Sequence, residues 1–377
     1  MRIGLVVAGG VDRSGRERVV PVLLSLVERL AKRHELHVFV LNYYPEPCTY
    51  RLLGATVHDV GRVTAPPGLR RVRIRARLAA VVETELPLDV LHAYQGMPPG
   101  LVTAQVAARL GVPVIVTFSS GELVAIDDIR YGLQRRWLDR RAVQYTIRAA
   151  ARLTVDTGFM AHLASSHGAR ADVVPVGVDA GKFPLAARED GPPWRLIRVG
   201  SLNAVKDHGT LLHALAQVLQ RIPDVFLDIV GEDTLSGSTQ ALCRSLGFDG
   251  HVAFHGFQPT DRLAALYARA HLHVVSSRHE ASSVAMLEAA STGLATVGTA
   301  VGYVSDWAPD RAVAVPVQDP GALASAIVDL LQDRPRRERI ASAARAWTLA
   351  HDADWTARQF ERLYDEVRAE SRQGAQR

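Results

Sequence analysis

Two glutamates, Glu280 and Glu288, stand eight residues apart in the stretch SSRHEASSVAMLEAASTG. The stretch follows the apolar run HLHVV and becomes apolar-periodic after Glu280, a pattern that predicts strand, loop and helix. Ser282 and Ser283 are placed to cap that helix, and its first N–H groups, near Val284, favour an anion, above all phosphate. The helical rise separates the carboxylates by roughly 12 Å, about the reach of a nucleotide sugar. One acid would then lie near the sugar hydroxyls and the other near the ribose; a pair of solvated surface acids is the alternative.

The same two glutamates resemble the E-x7-E signature of retaining GT-B glycosyltransferases, specifically the glycosyltransferase group 1 family. That family's usual text is close to EGFG-LV-LEAMA-G-PVV, against EASSVAMLEAASTGLATV here. Ala281 and Ser283 stand where the family has glycine. The resemblance implies that Glu280 positions the donor sugar and stabilises its cationic ring, while Glu288 holds the ribose.

A second group lies in GSLNAVKDHGTLLHAL, which follows an apolar strand and continues into an apolar-periodic helix. Lys206 stands at the start of that helix. The segment resembles the family's GRL-KG element, whose basic residues hold the donor diphosphate; Ser201 stands where an Arg is common and offers only a hydroxyl. Further on, HVAFHGF resembles a strand that ends beside the nucleobase, which predicts contact between Phe257 and the base.

The N-terminal strand ends in paired glycines, which let the backbone approach a ligand closely. In the resembled family this turn touches the donor diphosphate, which points to Gly10. Ser14 and Glu17 have capping-box spacing and predict a helix that begins at Ser14. The segment is not G-x-G-x-x-G, and the second strand ends at Asn42 instead of an acid, so the pattern argues against a dinucleotide site.

Strands alternate with helices along the chain, which predicts parallel sheets with ligands bound beyond the carboxyl ends of the strands. Two polar groups in such positions, His92 and Glu122, are predicted as acceptor-side residues. For His92 a structural role is the alternative. Many family members have a His where this chain has Ser119, so an imidazole role at that position is not expected.

The length of 377 residues suits two domains. The segment VVPVGVDAGKFP resembles the family's IPNGVD-FP, which ends the first domain, so we predict domains at 1–184 and 194–353 with a linker at 185–193. A last amphipathic helix, about 354–370, is expected to pack back on the first domain. The expected fold class is α/β, namely GT-B, with two doubly wound Rossmann-like domains facing across a cleft.

Composition and charge predict the cellular location of the protein and the kind of surface that it contacts. The sequence has no apolar run of membrane-spanning length, no signal peptide, and two distant cysteines, Cys48 and Cys243, which predicts a cytoplasmic protein without disulfides. Residues 1–180 carry 23 Lys plus Arg against 16 Asp plus Glu. This excess clusters in two segments predicted as helices, 69–78 and 130–152. Basic amphipathic surface of this kind suits the inner face of an anionic membrane or an anionic acceptor, although charge runs are more often plain solvated faces. No nucleic-acid module accompanies the charge.

The resemblance implies a retaining, hexosyltransferase-type reaction that moves a sugar from a UDP- or GDP-linked donor to an acceptor hydroxyl. Glycan, lipid-linked and small-molecule acceptors all fit, as in polysaccharide or glycolipid biosynthesis. Lys206 and Glu280 are the implied catalytic residues, and neither a metal nor a cofactor is expected. A nucleotide-sugar epimerase and a non-catalytic nucleotide-binding protein of the same fold are the alternatives; an NAD-dependent oxidoreductase would lack its glycine fingerprint.

Overall fold

The structure, a computed structural model, describes residues 1–41 and 43–375. Asn42, which the sequence analysis placed at the end of the second strand, lies outside the described residues. The chain divides into two compact units: Met1–Val176 together with the last helix from Ala353, and Gly177–Asp352. Each unit has its own sheet and its own core, which confirms the α/β class and the two Rossmann-like domains.

The first unit is built on an eight-stranded sheet of order β3-β4-β2-β1-β5-β6-β7-β8, in which only β3 runs antiparallel to its neighbour. The apolar runs of the sequence form buried central strands, as expected where helices cover both faces. The strands are β1 (Arg2–Val7), β2 (Glu35–Val40), β3 (Cys48–Leu52), β4 (Ala55–Asp59), β5 (Val90–Tyr94), β6 (Val114–Phe118), β7 (Arg152–Val155) and β8 (Asp172–Val173). The helices before the crossover to the second unit are α1 (Pro21–Ala31), α2 (Pro67–Thr84), α3 (Leu101–Leu110), α4 (Trp137–Ala149) and α5 (Gly158–Ser166).

The first helix begins later than the capping-box spacing predicts. Ser14 Oγ accepts a hydrogen bond from Glu17 N at 3.1 Å, but this closes only a turn. Helix α1 starts at Pro21, because proline fits the first helical position, where its missing N–H is not needed. Residues 13–20 instead form a loop that leads back to the end of β1, where Val20 N donates to Gly10 O at 2.9 Å.

The second unit has a six-stranded, fully parallel sheet of order β11-β10-β9-β12-β13-β14. Its strands are β9 (Trp194–Val199), β10 (Val225–Val230), β11 (Val252–Phe254), β12 (Leu272–Val275), β13 (Ala295–Thr299) and β14 (Val313–Val315). Its helices are α6 (His208–Arg221), α7 (Ser238–Ser245), α8 (Thr260–Arg269), α9 (Val284–Ser291), α10 (Tyr303–Trp307), α11 (Pro320–Gln332) and α12 (Arg334–Ala350). The strand order reverses between β9 and β12, and loops at the carboxyl ends flanking such a switch point form the usual ligand site of an open α/β sheet.

The last helix, α13 (Ala353–Ala375), belongs to the first unit. Its apolar face buries Phe360, Leu363, Tyr364 and Val367 in the core beneath β1 and α1. Fully burying a side chain of this size contributes about 2 kcal/mol.

Residues 185–193, predicted as a linker, make hydrogen bonds within the second unit. The Arg188 guanidinium donates to the carbonyl oxygens of Tyr267, Ala270, Thr292 and Gly293. The division between the units therefore falls at Val176, before the predicted segment.

Among the described residues, no helix has the length and apolar character needed to cross a membrane.

Candidate active site

Glu280 lies in the loop that joins β12 to α9, at the carboxyl end of the second sheet. Its side chain is almost buried, with the residue 7% exposed. Lys206 Nζ lies 2.7 Å from both carboxylate oxygens, Oε1 and Oε2. The structure thus brings together the two residues predicted as catalytic, which are 74 positions apart in the chain.

Two loops hold Lys206 in this position. Asn203 Oδ1 accepts from Lys206 N at 3.2 Å, which closes a short 3₁₀ turn, and Asp207 Oδ1 accepts from Thr210 N at 3.1 Å to cap α6. Ser276 Oγ donates to Lys206 O at 2.8 Å, which ties the turn after β9 to the loop after β12. The side-chain caps from Asn203 and Asp207, in addition to the apolar face of α6, therefore position Lys206 next to Glu280.

Glu280 has two further partners that the sequence pattern does not predict. Ser277 Oγ donates to Glu280 Oε1 at 2.6 Å, and Arg198 Nη2 donates to Ser277 Oγ at 2.8 Å. Arg198 is fully buried and its Nη2 lies 3.8 Å from Glu280 Oε1. An arginine inside the apolar strand WRLIRV was the available signal, because buried arginines require a partner.

The cations around Glu280 determine its protonation. Burial alone would raise the pKa of Glu280, but the charges of Lys206 and Arg198, with hydrogen bonds from Lys206 and Ser277, lower this pKa below its ordinary value. Two cations thus face one ionised carboxylate, so the cluster keeps an excess positive charge. A buried site with that excess favours an anionic ligand.

Two buried histidines lie close to these cations. His208 opens α6 and His273 lies on β12, and burial lowers the pKa of each to about 3, so both imidazoles are neutral. Both ring nitrogens of His208, Nε2 of His273 and Nε of Arg198 have no hydrogen-bond partner within the part of the chain that the structure describes. Several buried polar atoms close to these cations therefore lack hydrogen-bond partners among the described residues, a property that recurs at functional sites.

The start of α9 differs from the predicted serine cap. Ser283 occupies the N-cap position but makes no side-chain cap hydrogen bond, and its backbone has φ 91°. This is one of the glycine positions of the family pattern, and a non-glycine residue is strained there. Gly302 packs against the same loop, where an added Cβ would lie 2.9 Å from Ser282 O. The first turn of α9, from Val284, carries the N–H groups suited to an anion.

Glu288 lies within α9 and is half-buried. Tyr267 Oη is 3.2 Å from Glu288 Oε2 and 3.1 Å from Ala285 O. Burial raises the pKa of Glu288 to about 7, although the tyrosine hydrogen bond opposes this shift. The carboxyl is therefore balanced between its neutral and ionised forms near neutral pH.

Two other predicted donor residues are exposed at strand ends of this unit. Ser201 follows β9, in a turn packed so closely against Gly231 that an added Cβ there would lie 2.1 Å from Gly200 O. Phe257 follows β11, which ends at Phe254, three residues earlier than the predicted strand. Its ring is 77% exposed, which is unusual for phenylalanine.

The remaining predicted residues lie in the first unit. Gly10 follows β1 with φ 83°, and a Cβ there would come within 2.7 Å of the Val20 side chain, so glycine is required for this turn. His92 is a core residue of β5 and not a loop residue. It is fully buried, with Nδ1 2.7 Å from Tyr364 Oη and Nε2 2.7 Å from Thr117 Oγ1. The prediction that His92 serves the acceptor does not fit this position.

Glu122 is also held by the protein itself. The residue is 2% exposed, its Oε1 accepts from Gly96 N at 2.9 Å, and its Oε2 accepts from Ser120 N at 2.8 Å. Burial raises its pKa, although the backbone hydrogen bonds oppose this. The carboxyl joins the loops after β5 and β6. It also lines a cavity of about 180 Å³, but both of its oxygens already accept these hydrogen bonds.

A larger cavity of about 470 Å³ adjoins this one before α4. Three arginines line it, Arg130, Arg135 and Arg136, together with Asp139. Arg135 Nε pairs with Asp127 at 2.9 Å, and Asp139 pairs with Arg71 of α2 at 2.9 Å. The cavity is therefore basic and suits an anionic group.

Comparison with known proteins finds two family models along the chain. Residues 183–347 match the family model of glycosyl transferases group 1, and residues 19–178 match that of the glycosyl transferase 4-like domain. The chain belongs to the glycosyl transferases group 1 family. The match to the group 1 model spans Lys206, Glu280 and Glu288.

Individual relatives of this glycosyltransferase support the same family. It is 29% identical over 298 residues to the D-inositol 3-phosphate glycosyltransferase of Segniliparus rotundus, which covers 68% of this chain and 66% of that protein. It is 28% identical over 293 residues to the phosphatidyl-myo-inositol mannosyltransferase of Mycobacterium tuberculosis, which covers 74% of each. The chain thus spans about two thirds to three quarters of the length of these curated relatives.

The fold also matches a solved structure over nearly the whole chain. The Anabaena protein HepE, solved in complex with UDP and glucose, has TM-score 0.74 at 16% identity, covering 97% of this chain and 100% of that chain. With its two parallel-sheet units, the chain has the GT-B fold.

Proposed function

We propose that this glycosyltransferase moves a sugar from a UDP- or GDP-linked donor to an acceptor hydroxyl with retention at the anomeric carbon. The observation that carries this proposal is the contact of Lys206 Nζ with both oxygens of Glu280, 2.7 Å each, beside the N-terminus of α9. The family membership gives the reaction class. The proposal adds the donor class, the stereochemistry and the roles of these residues.

Donor binding would exchange partners at the Lys206–Glu280 pair. The diphosphate carries two negative charges that compete with Glu280 for Lys206, and the first N–H groups of α9 favour the same anion. Glu280 then keeps Ser277 and Arg198 as partners, so it stays ionised while its other lone pairs accept hydrogen bonds from the sugar hydroxyls. The lysine therefore already lies beside the proposed position of the donor phosphate before the donor binds, which is electrostatic preorganisation.

The transfer step breaks the bond between the anomeric carbon and the β-phosphate oxygen, and the electron pair of that bond remains on the phosphate. Lys206 and the α9 N–H groups stabilise this developing charge, while ionised Glu280 stabilises the oxocarbenium-like ring. The acceptor oxygen forms the new bond on the same face, and its proton passes to the leaving phosphate. Because these groups supply the positive charge, we propose that transfer requires no metal and no cofactor.

The other donor contacts follow from position. Glu288 would accept hydrogen bonds from ribose hydroxyls in its ionised form, and exposed Phe257 would stack on the base. HepE, which shares the fold, was solved with UDP and glucose. The uracil and guanine nucleotides are therefore the first donors to compare.

The test is a panel of UDP, GDP and ADP sugars in the presence of chelator, with nucleotide diphosphate release measured and the anomeric configuration of the product determined by NMR. We expect release from one donor and an axial or equatorial linkage identical to that of the donor. An inverted product would refute retention. A donor converted into another nucleotide sugar without acceptor would identify an epimerase, and binding without turnover would identify a non-catalytic nucleotide-binding protein.

We also propose that the acceptor carries a phosphate bound in the basic cavity before α4. Arg130, Arg135 and Arg136 line it, and the two curated relatives are named for inositol 3-phosphate and for phosphatidyl-myo-inositol. A phosphorylated cyclic polyol is the class of acceptor that fits both the basic cavity and the names of these relatives.

The exposed faces of α2 and α4 support a membrane-borne form of this acceptor. Leu69, Val72, Trp137 and Leu138 are exposed beside the arginines, and Arg71 joins the two helices through Asp139. Exposed apolar side chains with flanking cations suit an anionic lipid surface.

Acceptor assays separate these cases. Free inositol 3-phosphate and phosphatidylinositol vesicles are compared as acceptors, with wild type, Arg130→Ala and the matched control Arg148→Ala, an exposed arginine of α4 outside the cavity. We expect Arg130→Ala to raise the KM for the phosphorylated acceptor at least tenfold and Arg148→Ala to leave it unchanged. Equal KM values for all three proteins would refute the acceptor site, whereas turnover with vesicles alone would identify the lipid form.

A further inference from the structure

A cluster of three metal-ligating side chains lies in the first unit, outside every site described above. His37 on β2, His58 on β4 and Glu85, directly after α2, have ligand atoms that all lie within 4.8 Å of one another. His37 and His58 are buried on one face of the sheet, and their rings stack on each other and on Phe39 of β2. Neither histidine contributes to the chemistry proposed for donor or acceptor.

The distances within the cluster suit a small tetrahedral ion. His37 Nδ1 is 3.2 Å from His58 Nε2 and 3.3 Å from Glu85 Oε2, and His58 Nε2 is 3.7 Å from Glu85 Oε1. Ligand atoms around tetrahedral Zn²⁺, with bonds of roughly 2.0–2.2 Å, stand about 3.3–3.6 Å apart. The separations in the cluster are therefore close to those between neighbouring ligands of one tetrahedral ion, with one oxygen of Glu85 near each imidazole.

The outer ring nitrogens have oxygen partners of their own. His37 Nε2 lies 3.3 Å from Glu35 Oε1, and His58 Nδ1 lies 3.3 Å from Thr49 Oγ1. When His37 donates its proton to Glu35, the lone pair on Nδ1 faces the Glu85 carboxylate. A carboxylate that fixes the outer nitrogen of an imidazole in this way is the usual second layer of a zinc site.

The charges around the cluster favour a cation between these atoms. Glu35 and Glu85 bring two negative charges, and Arg2 brings one positive charge, with Nε 3.0 Å from Glu35 Oε2 and Nη2 4.0 Å from Glu85 Oε2. A proton shared by the imidazoles or a divalent metal ion would separate the facing lone pairs. Three converging ligands, two of them buried imidazoles on rigid strands, favour the metal.

We propose that His37, His58 and Glu85 bind one divalent transition-metal ion, with Zn²⁺ as the best fit. Two imidazoles and a carboxylate form a ligand set typical of Zn²⁺, with one position left for water or the second oxygen of Glu85. Because β2, β4 and the end of α2 supply the ligands, the ion would link the outer part of the first sheet to the helix that covers it. None of these ligands belongs to the proposed donor or acceptor site, so we assign the ion a structural role.

The experiment uses the full chain, stripped with chelator and dialysed, and then titrated with ZnCl₂ against a chromophoric zinc chelator. We expect one zinc per chain, a rise in the melting temperature with Zn²⁺, and no rise with Mg²⁺ at the same concentration. His58→Gln and Glu85→Gln should weaken zinc binding at least tenfold. Glu35→Gln, an exposed change that leaves the core intact, should weaken it about tenfold, which is the usual effect of a second-layer partner.

His34→Ala is the matched control, since His34 ends the same turn before β2 but contacts Glu361, with Nε2 3.0 Å from Oε1. It should bind zinc as wild type does. Absence of stoichiometric zinc binding by wild type, or equal binding in wild type, Glu35→Gln and Glu85→Gln, would overturn the proposal and leave a hydrogen-bonded histidine pair. Metal content is measured without donor or acceptor, so this result is independent of the transferase assays.

Discussion

Each unit buries one glutamate at the carboxyl end of its sheet, and the two are held in opposite ways. Glu122 of the first unit accepts backbone N–H groups from Gly96 and Ser120, and burial raises its pKa. Glu280 of the second unit faces Lys206 and Arg198, which lower its pKa. Burial is similar, at 2% and 7% exposure, so burial does not distinguish them.

The difference lies in which partners can leave. Backbone N–H groups of two loops cannot separate from Glu122 without moving the loops, so that carboxyl stabilises the fold. The Lys206 side chain is flexible and 22% exposed, and a stronger anion can draw it away from Glu280. A buried carboxylate whose partner is a mobile cation is therefore a better candidate for chemistry than one bonded to backbone.

The largest expected effect is on turnover. Glu280→Gln keeps the shape but removes the charge that stabilises the cationic ring, so we expect kcat to fall at least ~10³-fold. Glu122→Gln should change kcat less than about threefold. Both are measured by donor-dependent product formation, with circular dichroism to verify folding. Comparable losses of kcat in the two variants would abolish the distinction between the glutamates.

Glu122→Gln should lower the free energy of unfolding, although it should change turnover little. In Glu122→Gln one of the two backbone N–H groups faces an amide NH₂ and loses its acceptor, which costs about 1–3 kcal/mol when the group is buried. Chemical denaturation monitored by fluorescence measures the change. An unaltered free energy of unfolding would contradict the structural role of this carboxyl.

The sequence alone predicts the parts of this contrast that depend on residues close together in the chain, and it does not predict contacts between distant residues. Glu280, Glu288 and Lys206 stand next to strand–loop–helix patterns that are local, so their placement followed from periodicity. Glu122 and His92 were assigned to the acceptor because each lies near a strand end. Their partners, Gly96 and Tyr364, come from distant parts of the chain and are invisible to a local pattern.

Arg198 shows the same limit within the candidate site. Its position in a strand was readable, but its direction towards Ser277 depends on the packing of β9 beside β12. The start of α1 was predicted seven residues too early because the Ser14 capping pattern was satisfied by a turn.

A smaller effect should appear in the pH dependence of nucleotide binding. Burial raises the pKa of Glu288 to about 7, and the ionised carboxylate is a stronger acceptor for ribose hydroxyls than the neutral acid. Affinity should therefore rise as the pH rises through this value, by up to about tenfold between pH 6 and 8. Isothermal titration at several pH values measures it, and Glu288→Gln should give a flat profile. A wild-type profile that is flat or falls with pH would contradict the ribose role.

The smallest effect concerns the loop itself. Ser283 has φ 91°, so Ser283→Gly should relieve strain and stabilise the second unit by about 1 kcal/mol. Thermal denaturation compares it with Ser282→Gly, where no positive φ exists and a small loss is expected. A Ser283→Gly protein less stable than wild type would show that the strain is compensated elsewhere.

The most direct measurement is the dissociation constant of the nucleoside diphosphate, UDP or GDP, for wild type, Lys206→Met and Glu122→Gln. Lys206→Met keeps the apolar stem and removes the charge that we assign to the diphosphate. We expect binding to wild type, at least ~100-fold weaker binding to Lys206→Met, and unchanged binding to Glu122→Gln, since charge-assisted phosphate contacts are strong. Equal affinity of wild type and Lys206→Met would contradict the assignment of Lys206 and Glu280 as the donor site.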